Sequence, residues 1–569
     1  MLDAAWSLSL VCATSIFYLP FIRKKRDIFP PMNQEELTFD VIVVGAGPAG
    51  LATAIHLAEL FRRQGQERTI CLLDKGAYPG AHILSGAVMD PKGLDLLLPD
   101  WHHTIPTDTT PVTQEHLFFL SRTKAHALPH CNVMRNQGCL IVRLGPLCQG
   151  LSRRAEDLGV QIFHGFPAVE PVWDHHGNLQ GVVTADVGRN AQGVPGRHFQ
   201  PGVRLLAPIT VIAEGARGHL ATRLIRHFQL DRYRAPQQYA LGLKEIWEIE
   251  PHQSKPGAIL HTLGWPLAPD CHGGGFLYHV RPGRLDLGLV VHLSYSNPQT
   301  DPFRLLQCWK THPWLRAILA GGRPLEAGAR VLVTGGLQAL PNTSFPGGLL
   351  VGDAAGLLDG ARMKGIHQAL LSGIAAARAI HAFPTDWRQS GLLYGRELES
   401  LVLPDLRRAR NVQPGLGRGL WLGMAHGFFD QKIVRGRALW TWRHHLADRA
   451  KLRNARPTPP QPPCQGDTVL DRDRFLFLAG VRHREGQPGH IQVTRSQDAL
   501  ANHIRQFDAP EQYYCPAGVF SLTGASHAPT MRLSPHRCLH CQTCSIKDPD
   551  DAILWSPPEG GSGPQYRTM

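Results

Sequence analysis

Phe39-Asp40-Val41-Ile42-Val43-Val44-Gly45-Ala46-Gly47-Pro48-Ala49-Gly50 is a short β-branched run that breaks into a glycine turn. Residues 51–58, Leu-Ala-Thr-Ala-Ile-His-Leu-Ala, then carry helical apolar spacing. Strand, glycine turn and helix stand in the order that dinucleotide binding requires. Gly45 permits the tight turn, Gly47 lets the backbone reach a pyrophosphate, and Gly50 allows close helix packing. Pro48 and Ala49 open the helix whose N-terminus faces the phosphates. A second apolar run, Thr69-Ile70-Cys71-Leu72-Leu73, ends in Asp74 at the ribose-binding distance from the glycines. A lone GxGxxG is weak, but the whole unit predicts an α/β domain that binds a dinucleotide.

Later segments decide which dinucleotide. Thr210-Val211-Ile212-Ala213-Glu214-Gly215 and Gly347-Gly348-Leu349-Leu350-Val351-Gly352-Asp353-Ala354-Ala355-Gly356 each read as a strand ending in a small-residue turn. FAD is long, and its ribityl chain needs such a distant return. Asp353 is placed to accept hydrogen bonds from ribityl or pyrophosphate-side groups, and a helix from Gly365 points its positive end at the flavin or the phosphates. The plainer alternative makes Asp353 a helix N-cap.

Cys515-Pro516 and then Cys538, Cys541 and Cys544 carry the second signal. Three thiolates at C-x-x-C-x-x-C wrap one face of a cubane, and the remote Cys-Pro supplies the fourth corner of a [4Fe-4S] cluster. Zinc ribbons use two separated pairs instead, and zinc or unliganded thiols are the alternatives. Cys12, Cys71, Cys131, Cys139, Cys148, Cys271, Cys308 and Cys464 show no ligand spacing and read as buried small hydrophobes. FAD beside one cluster implies conversion between two-electron and one-electron chemistry.

The chain has 569 residues, 43% hydrophobic and 18% charged, which excludes disorder and a long coiled coil and predicts two to four units. The net charge of +13 favours an acidic lipid surface or an acidic protein, and no motif supports nucleic acid. The cysteine usage suggests a reducing compartment. Residues 4–22 are mostly apolar and run into Arg23-Lys24-Lys25-Arg26, long enough to span a bilayer with the remainder on the cytoplasmic side. The alternative is that Met32 is the natural start.

The segments GAGPAGLATAIHLAEL, GAHILSGAVMDP from Gly80, VRLG from Val142, AEGARGHLA from Ala213, LGWPLAPDCHGGGFLYH ending at His279, FPGGLLVGDAAG, MKGIHQAL from Met363, CPAGVF, CLHCQTCSIKDP and PPEGGSGPQY occur in one order. Together they resemble the electron-transfer flavoprotein-ubiquinone oxidoreductases from about Phe39 to the C-terminus. The resemblance implies an FAD-binding domain of the glutathione-reductase type, an interleaved ubiquinone-binding α+β domain and a C-terminal ferredoxin-like domain with the cluster. It implies a membrane-surface enzyme, an electron-transferring-flavoprotein dehydrogenase, that takes electrons from reduced electron-transfer flavoprotein and passes them to ubiquinone. It adds Arg143 to the cofactor set and maps the quinone-site glycines onto Gly273 and Gly274, which otherwise read as a turn before a strand. Residues 38–110, 140–220 and 325–385 are then expected in the FAD domain, 111–139 with 221–324 in the quinone domain, 386–456 in a helical membrane segment, and 457–569 in the cluster domain after the linker at 457–463. Residues 1–37 form an extension.

Leu416, Leu420, Trp421, Met424, Phe428, Phe429, Leu439, Trp440 and Trp442, with Arg418, Lys432, Arg435, Arg437 and Arg443, suit interfacial docking. A buried helical pair is the alternative. The resemblance places the enzyme at the cytoplasmic face of a bacterial inner membrane, or the mitochondrial matrix face in the family's eukaryotic members. The family usually has Asn and Thr near the flavin where this chain has Val333 and Ile366, and Tyr near the cluster where it has Phe520. Lost donors lower both potentials. Thr543 remains as a donor. The electron steps require no acid or base side chain, so no catalytic residue is assigned. The competing readings are a flavin-dependent reductase or monooxygenase on a hydrophobic substrate, against which the cluster argues, and a non-catalytic membrane electron carrier.

Overall fold

Val41–Val44 is buried at every position because it is the central strand of a six-stranded sheet. A computed structural model describes residues 34–86, 88–129, 136–456, 464–524 and 529–569. The apolar stretch at 4–22, Met32, Cys12, Cys131 and the 457–463 linker lie outside the described residues. From one edge the sheet runs Ser344–Phe345, Gly348–Leu350, Ile209–Ile212, Val41–Val44, Ile70–Asp74 and Gln161–His164. Every pair is parallel except the first. Parallel strands buried on both faces need continuous β-branched and leucine runs, which these are.

Helix Pro48–Arg63 follows the glycine turn and packs on helix Ile366–Ala382. The two backbones approach closely, and a Cβ at Gly373 would lie 2.4 Å from the Ala49 carbonyl oxygen. A second sheet of Glu36–Thr38, Arg204–Leu206, Leu179–Thr184 and Ala168–Trp173 lies alongside in sequence and space.

The other large sheet has seven strands in the order Arg323–Val333, Tyr239–Glu248, Arg284–His292, Gly273–Arg281, Ala258–Gly264, Gln114–Leu120 and Ala125–Leu128. Arg323–Val333, which crosses the boundary expected at 324/325 between the quinone and FAD-binding parts, is its edge strand. Alternation along these strands gives two unlike faces. Glu245 and Thr262 point to helix Pro302–Lys310, where Lys310 Nζ lies 2.8 Å from a Glu245 carboxylate oxygen and Trp309 Nε1 donates to Thr262 Oγ1. Lys244, His261, Phe276 and Tyr278 take the opposite face, towards the dinucleotide sheet.

The cluster unit has two short hairpin-like pairs, Ile491–Val493 with Ile553–Trp555 and Phe520–Thr523 with Thr530–Leu533. Its tail is stitched into the other units. Ala329 N–H donates to the Tyr566 hydroxyl, Thr568 Oγ1 donates to Glu326, and Gly145 N–H donates to the Met569 carbonyl. Cys308 and Cys464, read from sequence as unpaired, form a disulfide with a Cα–Cα distance of 5.2 Å. Their separation of 156 residues leaves no spacing signal to read.

Candidate functional site

A cavity of about 590 Å³ lies between the dinucleotide sheet and the seven-stranded sheet. Gly45, Gly47, Pro48, Ala49, Asp74, Glu214, Gly215, Asp353 and Gly365 stand on its wall, as do Gly273 and Gly274. A Cβ at Gly47 would meet nothing within 4 Å, so this glycine opens onto free space. Gly50 and Gly352 are not on the wall. A Cβ at Gly50 would lie 1.9 Å from the Gly45 carbonyl oxygen, and one at Gly352, where φ is +58°, would lie 2.9 Å from Ala49 Cβ. Both hold the turn closed.

The carboxylates differ in their surroundings. Asp74 Oδ2 accepts the Ala46 N–H at 2.8 Å and Oδ1 accepts the Gly76 N–H, which ties the glycine turn to the second strand. Glu214 accepts the Ala221 N–H at 2.7 Å at the start of helix His219–His227, and burial pushes its carboxyl up. Asp353 sits in the short turn Gly352–Ala354, and Gly365, not Asp353, is the N-cap of Ile366–Ala382. Burial pushes the Asp353 carboxyl up to about 6, against the pull of Arg330.

Arg330 and Lys75 line the same cavity and carried no sequence signal. Arg330 Nη1 is buried without a hydrogen-bond partner. Lys75 stands 4.8 Å from the Trp555 ring centre, and burial with Arg330 nearby lowers its ammonium to about 8. Two underpaired cations on one wall suit an anionic occupant. Arg143 is also buried, with Nε and Nη2 unpartnered, but it lies off the cavity wall on the side of Arg284.

Cys515, Cys538, Cys541 and Cys544 are brought together and buried. Val519 N–H donates to Cys515 Sγ at 3.4 Å, His540 N–H donates to Cys538 Sγ at 3.4 Å, and Thr543 Oγ1 lies 3.3 Å from Cys541 Sγ. Burial raises all four thiols, Cys515 to about 11, and neighbouring thiols add to the rise at Cys515, Cys538 and Cys544. A metal must therefore supply the charge that makes them thiolates. Among the described residues, sets of ligand atoms closing within 4.8 Å of one another include Cys538 with His490 and His540, but not the four thiols together. One tetrahedral zinc would draw four sulfurs closer than that, whereas a cubane spreads them.

Three family models match the chain: an ETF-QO ubiquinone-binding model over residues 239–332, an electron transfer flavoprotein-ubiquinone oxidoreductase 4Fe-4S model over 466–567, and an NAD(P)-binding Rossmann-like domain over 43–114. The electron transfer flavoprotein-ubiquinone oxidoreductase of Pseudomonas aeruginosa is 39% identical, covering 95% of this chain and 100% of its own. The mitochondrial protein of that name from Bos taurus is 38% identical over 99% of this chain and 94% of its own. This chain belongs to the electron transfer flavoprotein-ubiquinone oxidoreductase family. A geranylgeranyl bacteriochlorophyll reductase-like protein from Thermoplasma acidophilum shares the fold, with a TM-score of 0.50 and 18% identity over 65% of this chain and 86% of that one.

As a member of that family the chain is an oxidoreductase whose cofactors are FAD and a [4Fe-4S] cluster. The residues present fit both groups, through the open glycine cradle with its two underpaired cations and through the four buried thiols with their donors. The two sites are neighbours. Gln542 and Trp555 stand on the cavity wall, and Val331 N–H donates to the Cys541 carbonyl at 3.3 Å.

An apolar part of the oxidoreductase's cavity wall is formed by Leu416, Leu420, Met424 and Phe428. Leu420–Phe428 forms a helix whose outer side leaves Trp421 64% and Leu422 59% exposed, and Leu439 beyond it is fully exposed. No helix among the described residues is long and apolar enough to cross a membrane. Of the residues that depart from the family pattern, Ile366 is on the cavity wall and Val333 is not. Thr334, the next residue, presents a buried hydroxyl without a partner on that wall. The donor thought lost at 333 thus has a neighbour able to replace it.

Proposed function

We propose that this oxidoreductase takes single electrons from reduced electron-transfer flavoprotein and delivers pairs to ubiquinone at a membrane surface. The observation that carries this reading is the continuity of one cavity. Its wall carries Gly45 and Gly47, Asp353 and Arg330, Gly273 and Gly274, and the apolar Leu416, Leu420, Met424 and Phe428. A flavin against the first of these residues places its ring beside a quinone against the later ones. When bound, the cluster supplies one-electron steps and the flavin supplies both one- and two-electron steps.

The chain's own groups do the positioning. Gly45, Gly47, Pro48, Ala49 and the N-terminus of Pro48–Arg63 face the diphosphate, and Asp74 takes the ribose end. Gly215, Asp353 and Gly365 hold the middle and the ring. Glu214 keeps the turn closed through its helix contact. Arg330 places a fixed positive charge between both redox sites, since it acts on both Asp353 and Cys541. Gly273 and Gly274 offer backbone to the quinone ring, and Cys515, Cys538, Cys541 and Cys544 ligate the iron. Arg143, off the wall, acts on the cofactor only through its neighbours.

Trp421, Leu422, Phe428, Phe429 and Leu439 enter the lipid boundary, with Arg418, Lys432 and Arg435 for headgroups, on the cytoplasmic face of a bacterial inner membrane or its mitochondrial counterpart. The test is an assay of purified, membrane-reconstituted protein for ubiquinone reduction by reduced electron-transfer flavoprotein and by NADH. Turnover with the flavoprotein alone is expected. Turnover with NADH alone, or stoichiometric zinc in place of iron, overturns the reading.

A further inference from the structure

Ubiquinone needs protons as well as electrons, and the apolar part of the cavity wall offers none. We propose that Tyr278 and His261 form the proton relay to ubiquinone, fed through a small polar chamber behind them. The inference rests on the reading of the cavity as a ubiquinone site.

Sheet register assembles the relay. Gly274, Phe276 and Tyr278 alternate onto the cavity face, and His261 pairs with Phe276 across the sheet. Tyr278 lies further along the strand than Gly274, but its hydroxyl meets His261 Nε2 at 3.0 Å, so the hydrogen-bonded pair stands on the wall beyond the two glycines. Gly86 leaves space over the phenol, since a Cβ there would lie 3.9 Å from the Tyr278 oxygen. The next strand places Asp286 beside Tyr278, with Lys244 Nζ 2.8 Å from Asp286 Oδ2 and both side chains fully buried. Asp286 Oδ1 has no hydrogen-bond partner. Burial, with Glu115 and Asp286 nearby, holds the phenol well above its ordinary range. Tyr278 therefore passes a proton on only as it receives one.

The supply side is a second chamber of about 50 Å³, enough for a water molecule. His261 and Tyr278 line it together with Asn136, Arg362 and Lys364. Lys364 donates to Asn136, and Asn136 N–H donates to Glu115 at 3.0 Å. Arg362 reaches Asp90 at 3.3 Å, a part-exposed carboxylate that leads to solvent. The pair thus separates a polar, solvent-linked chamber from the apolar cavity, where a proton path must cross.

The step balances as follows. The Tyr278 O–H bond breaks as an O–H bond forms at one quinone carbonyl oxygen, and Tyr278 regains its proton from His261 Nε2. His261 is reprotonated from solvent through the chamber. Both electrons and the other proton come from flavin held there in its anionic two-electron-reduced form, which has one proton to lose.

The test uses Tyr278→Phe and His261→Gln in holoenzyme with full flavin and iron content. Each is assayed with reduced electron-transfer flavoprotein as donor and either short-chain ubiquinone or ferricenium, which takes one electron and no proton, as acceptor. Quinone binding is read separately by fluorescence titration. The expected result is a loss in quinone kcat of at least about tenfold with binding held within about twofold. Ferricenium reduction is expected to be unchanged. The relay is overturned if either loaded variant keeps wild-type quinone turnover, or if quinone and ferricenium reduction fall together. Either variant alone decides the matter if the other fails to load. Wild-type holoenzyme that reduces no quinone overturns the functional reading itself, whereas active wild type with unaffected variants overturns only the relay.

Discussion

Gly47 and Gly50 sit three residues apart and fail differently when given a side chain. Alanine at 50 drives a methyl to 1.9 Å from the Gly45 carbonyl oxygen, a backbone atom that cannot yield. Gly50→Ala is expected to lower the stability of the apoprotein and abolish flavin retention. Alanine at 47 meets no protein atom within 4 Å, so Gly47→Ala leaves apoprotein melting unchanged and weakens FAD binding by at least about tenfold. Melting curves with flavin-release assays separate the two, and equal melting losses would remove the distinction. Ile366 gives the second test at this scale. It is the first residue of its helix and stands on the cavity wall, where a hydroxyl could donate to a reduced, more negative ring. One hydrogen bond of about 1 kcal/mol corresponds to a shift on the order of 40 mV for a one-electron couple. Ile366→Thr is therefore expected to raise the flavin midpoint in a redox titration. An unchanged or lower midpoint would show that Thr334 already fills the role.

Helix Leu420–Phe428 faces two ways, and its two rows answer different questions. Leu420 and Met424 line the cavity, whereas Trp421 and Leu422 face outwards. Trp421 lies 5.3 Å from Phe119, so the outward row continues onto the large sheet. The turn Phe429–Ile433 extends it, while Asp430 folds inwards and is buried. Helical spacing alone could not decide between an interfacial and a buried element. The exposed row with its arginine fringe favours the interface, because a soluble surface gains nothing from so many contiguous apolar side chains. Burying each of Trp421 and Leu439 in lipid contributes roughly 1.5 kcal/mol or more. The double variant Trp421→Ser, Leu439→Ser should therefore bind anionic vesicles on the order of 100-fold more weakly, with flavin and iron retained. Vesicle sedimentation measures this, and unchanged partition would assign the row to a protein contact.

At the scale of the whole molecule, the sequence reveals what is local and conceals what register assembles. The glycine turn, Asp74 and the cysteine triplet are legible because each motif is contiguous or sits at a fixed offset. Arg330, Lys75 and the His261–Tyr278 pair are illegible because sheet pairing brings together strands far apart in the chain. The Cys308–Cys464 pair is hidden because 156 residues separate a helix cysteine from one outside any strand, and Arg143, read from family likeness alone, lies off the cavity wall. Packing three units against one another also buries many histidines, with a consequence for pH. Burial lowers His292 and His490 to about 3, and His219, His279 and His444 to about 4. In an unfolded chain each titrates near 6.5. Between about pH 6.5 and 4 the unfolded chain thus binds more protons at these sites, so their effect is to lower stability as pH falls. Asp353 and Asp448, raised to about 6, act the other way below that value, because the folded state then holds protons that the unfolded state has released. The histidines outnumber them and begin to act at higher pH. Thermal unfolding of the holoenzyme is therefore expected to shift down by several degrees between about pH 7.5 and 5, with most of the shift beginning above pH 6. A melting temperature that holds or rises across that interval would mean that these histidines are hydrated or charged in the folded state.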